Sequence, residues 1–164
     1  MANNDNQCKD LKIENLYSES KNTLDDLFML QKDIQEKVYG YDFEFMRKQP
    51  LSVMKDFFMW NTHAQVDEAH ETMDALGGIN DGIGNAVWKP WKKDHIKTTN
   101  LGGEIAMTLN DLSEDDMKEL KMELIDELHF LFNKMHAAGM TTEELFNYYF
   151  AKNKENRERQ KNNY

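Results

Sequence analysis

An all-α helical bundle, of the kind built from a few amphipathic helices, is the fold this sequence predicts. Apolar residues recur at helical spacing over four separate stretches. Those stretches are bounded by cap signals, glycines and a proline, and few alternating β-branched runs remain from which a sheet could be made. With 164 residues and 19.4 kDa, the chain is expected to form one domain over residues 1–164, with residues 1–20 as a polar leader.

The first helix is expected from about Asn22 to Val38, where Leu24, Leu27, Phe28, Leu30, Ile34 and Val38 keep the period and Gly40 breaks it. After Pro50, a long helix from about Leu51 to Leu76 carries Val53, Met54, Phe57, Phe58, Met59, Trp60, Val66, Ala69 and Met73. Asn61 is the place where an interruption would fall, and Gly77-Gly78 is the stop. Residues 77–103 hold Gly82, Gly84, Gly102, Gly103, Trp88, Pro90 and Trp91 without a sustained period. They read as a structured connection, longer than the usual loop, which points to function or to a short unresolved helix. Ser113 followed by Asp116 resembles a capping box with a shortened acid. It opens a run through Met117, Leu120, Leu124, Leu128, Leu131 and Met135 that Gly139 ends. Thr141 with Glu144 is a second cap signal, and a last helix runs from about Thr142 through Phe150 into a charged tail.

Composition narrows the function. Thirty acidic against 20 basic residues give a net charge of -10, spread along the chain, and no basic patch of sufficient size stands outside its last turns. A nucleic acid polymer is therefore not the expected partner. The single cysteine, Cys8, rules out an intramolecular disulfide and a cysteine-built zinc site. Met1 to Asp10 lack the apolar core of a signal peptide, and no apolar run approaches the roughly 20 residues of a membrane span. A reducing cytoplasm is the expected location.

The chemistry is carried by two acidic pairs, Glu68 with Glu71 and Glu123 with Asp126. Each is spaced i,i+3, so on a helix each sets two carboxylates on one face. Around the second pair stand Met122, Leu124, Ile125, Leu128, Phe130, Leu131 and Phe132, apolar almost all round, as in a helix central to a bundle. Acids in such a place repel one another and are costly to bury, unless they hold a cation. Oxygen-only ligands suit Mg²⁺, which polarises phosphoryl oxygens and neutralises developing charge, with one to three ions expected. Glu68 or a neighbour is the candidate to take a proton from the attacking water. His129, three residues after Asp126, reads as a structural or outer partner, since phosphate-bound Mg²⁺ rarely recruits imidazole. Glu127 and Asp74 are further outer candidates. His63, His70, His95 and His136, with Ser52 and Ser113, form no nucleophile-and-base arrangement.

A phosphate substrate needs positive charge as well. Lys89, Lys92 and Lys93 stand among Trp88 and Trp91, while Lys152, Asn156 and Arg159 fall along one stripe of the last helix, suited to a polyphosphate. The aromatic content of 11% and the run Phe57-Phe58-Met59-Trp60 exceed what a small bundle needs inside, leaving apolar area for a partner helix.

The ExxE…ExxD pattern of Glu68, Glu71, Glu123 and Asp126 resembles the metal signature of the all-α nucleoside triphosphate pyrophosphohydrolases, the superfamily of dimeric dUTPases and MazG-like proteins. Residues 86–93 (Ala-Val-Trp-Lys-Pro-Trp-Lys-Lys), His129-Phe130, Gly139-Met140 and the segment from Lys152 to Tyr164 look most like the dCTPase-dUTPase branch of large tailed phages with modified cytosine. The resemblance implies Mg²⁺-dependent hydrolysis of dCTP and dUTP to dCMP or dUMP plus pyrophosphate, with dCDP and dUDP as further candidates, by a homodimer in the host cytoplasm. It also implies substrate-binding roles for Gln31, within Met29-Leu30-Gln31-Lys32, as reader of the pyrimidine, and for Trp88, Lys89, Lys92, Lys152, Asn156, Arg159 and Tyr164. Asn163 before Tyr164 departs from the Gly-Tyr that usually ends related dUTPases. A strict dUTPase, a broad MazG-like pyrophosphohydrolase and a non-enzymatic helical dimerisation module are the alternative readings.

Overall fold

The computed structural model describes residues 12, 20–76 and 108–161, and among these all regular structure is helical, with no strand. In chain order the helices are α1 (Thr23–Lys37), the short α2 (Phe43–Met46), α3 (Leu51–Leu76), a 3-10 turn (Leu109–Asp111), α4 (Glu114–Ala137) and α5 (Thr142–Lys161). Residues 77–107, with the expected connection around Trp88, lie outside the described residues.

Local chemistry sets the boundaries. Asn22 caps α1 by accepting from the Asp25 N–H. Asp42 caps α2 through the Phe45 N–H at 2.8 Å. The cap at Ser113 is real: its Oγ accepts from the Asp116 N–H at 3.0 Å and donates to the Asp116 carboxylate at 2.7 Å. Thr141 and Glu144 form the reciprocal box, with Thr141 N–H donating to Glu144 Oε2 at 3.0 Å and Glu144 N–H to Thr141 Oγ1 at 3.1 Å. The chain leaves α4 through Gly139 at φ +77, a left-handed conformation in which a side chain would be strained. The 26-residue α3 runs through Asn61 without a break, and Asn61 is buried within it.

Two compact units divide the chain. Apart from Lys12, the described residues of the first lie within Trp60–Phe130 and include most of α3 and α4. Its buried residues are Asn61, Thr72, Ala75, Leu120 and Glu123, a mostly polar set. The second comprises Asn15–Met59 and Leu131–Tyr164. There Phe43, Phe57 and Ala137 form a core with Tyr41, Met46, Met54 and Phe58 around it. The rings of Phe28 and Phe132 meet edge to face at 5.1 Å, and His136 lies over Phe28 at 3.9 Å. His136 Nε2 reaches the Phe28 carbonyl at 2.9 Å, and burial lowers its pKa, so a neutral imidazole donates there.

Two expectations about faces change. In α1 the buried stripe is Phe28, Gln31 and Gln35, whereas Leu27, Leu30, Ile34 and Val38, which carried the apolar period, are exposed. In α4 the flanks of the acidic pair are not enclosed: Leu124 and Ile125 are exposed while Glu123 is 5% exposed. The acid, not its apolar neighbours, faces inward.

Candidate metal centre

Helices α3 and α4 bring Glu68, Glu71 and Glu123 together within the first unit, one carboxylate oxygen from each lying within 4.8 Å of the others. Glu68 is half-buried, Glu71 exposed and Glu123 buried. One turn further along both helices, Thr72 Oγ1 donates to Glu127 Oε1 at 3.1 Å and pins the two helices in this register. The i,i+3 and i,i+4 spacings of an α-helix thus point the acids of both segments at one place.

The electrostatics are those of crowded anions. Burial pushes the Glu123 carboxyl up to about 7, with Glu71, Glu119, Asp126 and Glu68 adding repulsion. Glu68 is also raised, first by burial and then by the charges of Glu71, Asp126 and Asp67, against a hydrogen bond from Glu123 that lowers it. Two carboxyl groups hydrogen-bond only when one holds a proton, and Glu123 is the natural holder. A divalent cation would take over the role of that proton with more charge. The fit is good: all donors are oxygens, and Glu119 Oε2, one turn before Glu123, is buried with no hydrogen-bond partner among the described residues. Glu119 was not singled out from the sequence, although its position four residues before Glu123 places it on the same face.

Asp126 stands beside this group and not in it. Its Oδ1 lies 3.2 Å from His129 Nδ1, and its charge still raises Glu68 and Glu123. The other sequence candidates are dispersed. Gln31, in the second unit, is buried with Nε2 donating to Asn133 Oδ1 at 2.8 Å, a partner that sequence spacing did not reveal. Lys152 and Arg159 both pair with Glu155 on α5, next to the exposed Asn156. Trp88, Lys89, Lys92 and Tyr164 lie outside the described residues. His63 and His70 are exposed, and Ser113 serves as a cap.

A helical protein that gathers carboxylates from two helices around one point belongs to the class able to hold a divalent cation on oxygen ligands. Comparison with known proteins is more specific. The chain is homologous to phage dCTP pyrophosphatases: it is 43% identical over 100 residues to the dCTP pyrophosphatase of Enterobacteria phage LZ5 and 38% identical over 100 residues to that of Enterobacteria phage T4. Each match takes in 60% of this chain, which spans 55% of the length of either relative. A third relative, a DNA replication protein of phage T4, is 36% identical over 90 residues, 54% of this chain and 21% of its own length. No family model matches the chain, and no solved structure matches it.

Proposed function

We propose that this protein is a Mg²⁺-dependent pyrophosphohydrolase that converts dCTP and dUTP, with water, to dCMP or dUMP and pyrophosphate. The observation that carries the reading is the convergence of one carboxylate oxygen each from Glu68, Glu71 and Glu123 within 4.8 Å of one another. Homology to the two phage dCTP pyrophosphatases supports the choice of substrate. Glu68, Glu71 and Glu123 would hold the cation, with Asp126 turning from His129 to join them, and the cation when bound supplies charge neutralisation and polarisation of phosphoryl oxygen.

The chain's own residues supply the rest. In the reaction a bond forms from water oxygen to phosphorus while the α-β anhydride bond breaks, and the water loses a proton. Glu68, half-buried and raised above an ordinary carboxylate, is suited to accept it. Lys89, Lys92, Lys152 and Arg159 would draw the phosphates, and Lys152 and Arg159 would exchange Glu155 for them. Gln31 would read the pyrimidine together with Asn156, Trp88 and Tyr164. Its amide commits one donor to Asn133, and an amide that turns over can face either the C4 amine of cytosine or the C4 carbonyl of uracil.

Action as a homodimer is supported by the exposed stripe Leu27, Leu30, Ile34 and Val38 on α1, an apolar surface that a second copy would cover. No helix among the described residues is long and apolar enough to cross a membrane. In a phage-infected cell the activity would remove dCTP and feed pyrimidine deoxynucleotide synthesis in the host cytoplasm.

The test is release of pyrophosphate from dCTP, dUTP, dTTP, dATP, dGTP and CTP. Turnover confined to dCTP and dUTP agrees with the proposal. Turnover of dUTP alone, or of every nucleotide, replaces it with a strict dUTPase or a broad pyrophosphohydrolase, and none at all leaves a helical dimerisation module.

A further inference from the structure

Glu119 lies one turn before Glu123 on α4, so the two carboxylates leave the same face of the helix. Its Oε2 is shut off from solvent and has no hydrogen-bond partner among the described residues. A carboxylate oxygen removed from water carries a desolvation cost that a donor or a cation must offset. The glutamate one turn beyond Glu123 makes the comparison. Glu127 is provided for, since the Thr72 hydroxyl donates to it at 3.1 Å. Of the two glutamates that flank Glu123 along this face, Glu127 has a protein donor, whereas Glu119 Oε2 has none among the described residues.

Glu119 stands close enough to the acidic group for its charge to act on Glu123. Among the charges that hold the Glu123 carboxyl up, Glu119 comes after Glu71 and before Asp126 and Glu68. It is nevertheless not one of the three residues whose oxygens gather within 4.8 Å. A residue beside the ligands, with a buried acceptor oxygen that no described residue donates to, is placed to meet the water that Mg²⁺ retains when bound by a few carboxylates.

We propose that Glu119 is a positioning residue of the cation centre, its Oε2 accepting a hydrogen bond from the hydration shell of a cation held by Glu68, Glu71 and Glu123. The inference rests on the cation reading given above and adds to it a carboxylate outside the four of the acidic pairs. An amide at this position keeps the shape but loses the charge that orders the shell. An aspartate keeps the charge one methylene further away.

Calorimetric titration with Mg²⁺ and spin-resonance titration with Mn²⁺, both without nucleotide, test the proposal on the full chain. The set is the unaltered protein with Glu119→Gln, Glu119→Asp and Glu123→Gln. Glu119→Gln is expected to bind either cation about 10- to 100-fold more weakly, the usual effect of removing an outer partner of a metal site. Its melting temperature in chelator should be unchanged or higher, because an unpartnered charge has gone. Glu119→Asp should recover part of the affinity. The proposal is overturned if Glu119→Gln binds the cation within twofold of the unaltered protein, or if it loses metal-free stability along with affinity, as a structural residue would. Loss of binding in Glu123→Gln beside retained binding in Glu119→Gln would remove this inference alone. An unaltered protein that takes up no cation would remove the cation reading as well.

Discussion

Replacing Glu123 by glutamine should stabilise the cation-free protein and abolish its response to Mg²⁺, two effects of opposite sign from one change. Folding raises the Glu123 carboxyl from 4.5 to about 7. Between those values the folded chain holds a proton that the unfolded chain has released, so stability falls as pH rises from about 4.5 to about 7 and stays lower above it. At about 1.36 kcal/mol per pKa unit the ceiling is about 3.4 kcal/mol. Exposed Glu71 lets water screen the group, which reduces the expected loss to about 1–2 kcal/mol. That corresponds to roughly 3–6 °C in melting temperature for a chain of this size. The assay is thermal unfolding at a series of pH values from 5 to 8.5, in chelator and in excess Mg²⁺. In chelator, Glu123→Gln should flatten the decline and melt above the unaltered protein at pH 8. In Mg²⁺ the order should reverse, since the unaltered protein gains about 2.7 kcal/mol at a hundredfold excess over Kd and the variant gains little. His136, whose pKa burial lowers, adds a rise over this range that both proteins share. The reasoning is refuted if the gap in melting temperature between Glu123→Gln and the unaltered protein in chelator does not widen between pH 5 and 7, or if Mg²⁺ raises both proteins alike.

Two further predictions concern the second unit. A Cβ at Gly139 would meet Arg47 Cδ at 3.2 Å on a backbone at φ +77, whereas one at Gly40, φ +75, would meet nothing within 4 Å. Gly139→Ala and Gly40→Ala should each lose about 1 kcal/mol or more for the backbone, with the larger loss at Gly139, as measured by urea unfolding; equal losses would show that Arg47 simply moves aside. Asn133→Ala removes the acceptor of the buried Gln31 amide and should cost about 1–3 kcal/mol, read as a lower denaturation midpoint at unchanged slope.

Much of this arrangement could be read from the chain because the signals were local. Asn22, Ser113, Thr141 with Glu144, and the glycines at 40 and 139 mark helix ends by hydrogen bonds within a few residues, and the long helix from Leu51 to Leu76 fell where Pro50 and its apolar period placed it. The short α2 escaped because one turn has no period, although Asp42 before Phe43 is a cap signal. Faces were harder. The apolar period of α1 marks one stripe in sequence, and only packing tells that Phe28 turns inward with Gln31 and Gln35 instead of with Leu27, Leu30 and Ile34. The metal helices were legible as pairs of acids. Which oxygens meet was not, because that depends on the register of α3 against α4, which Thr72 and Glu127 fix across 55 residues of chain. Glu119 was hidden for a related reason, since the burial of an oxygen with no donor among the described residues is a matter of packing and not of sequence.

The most direct measurement of the central claim is pyrophosphate release from dCTP and dUTP with Mg²⁺, with chelator, and with Glu123→Ala in Mg²⁺. Turnover that requires Mg²⁺ and disappears in the variant is the predicted result. Turnover that persists in chelator, or that Glu123→Ala retains in full, would contradict a cation centre built on these carboxylates.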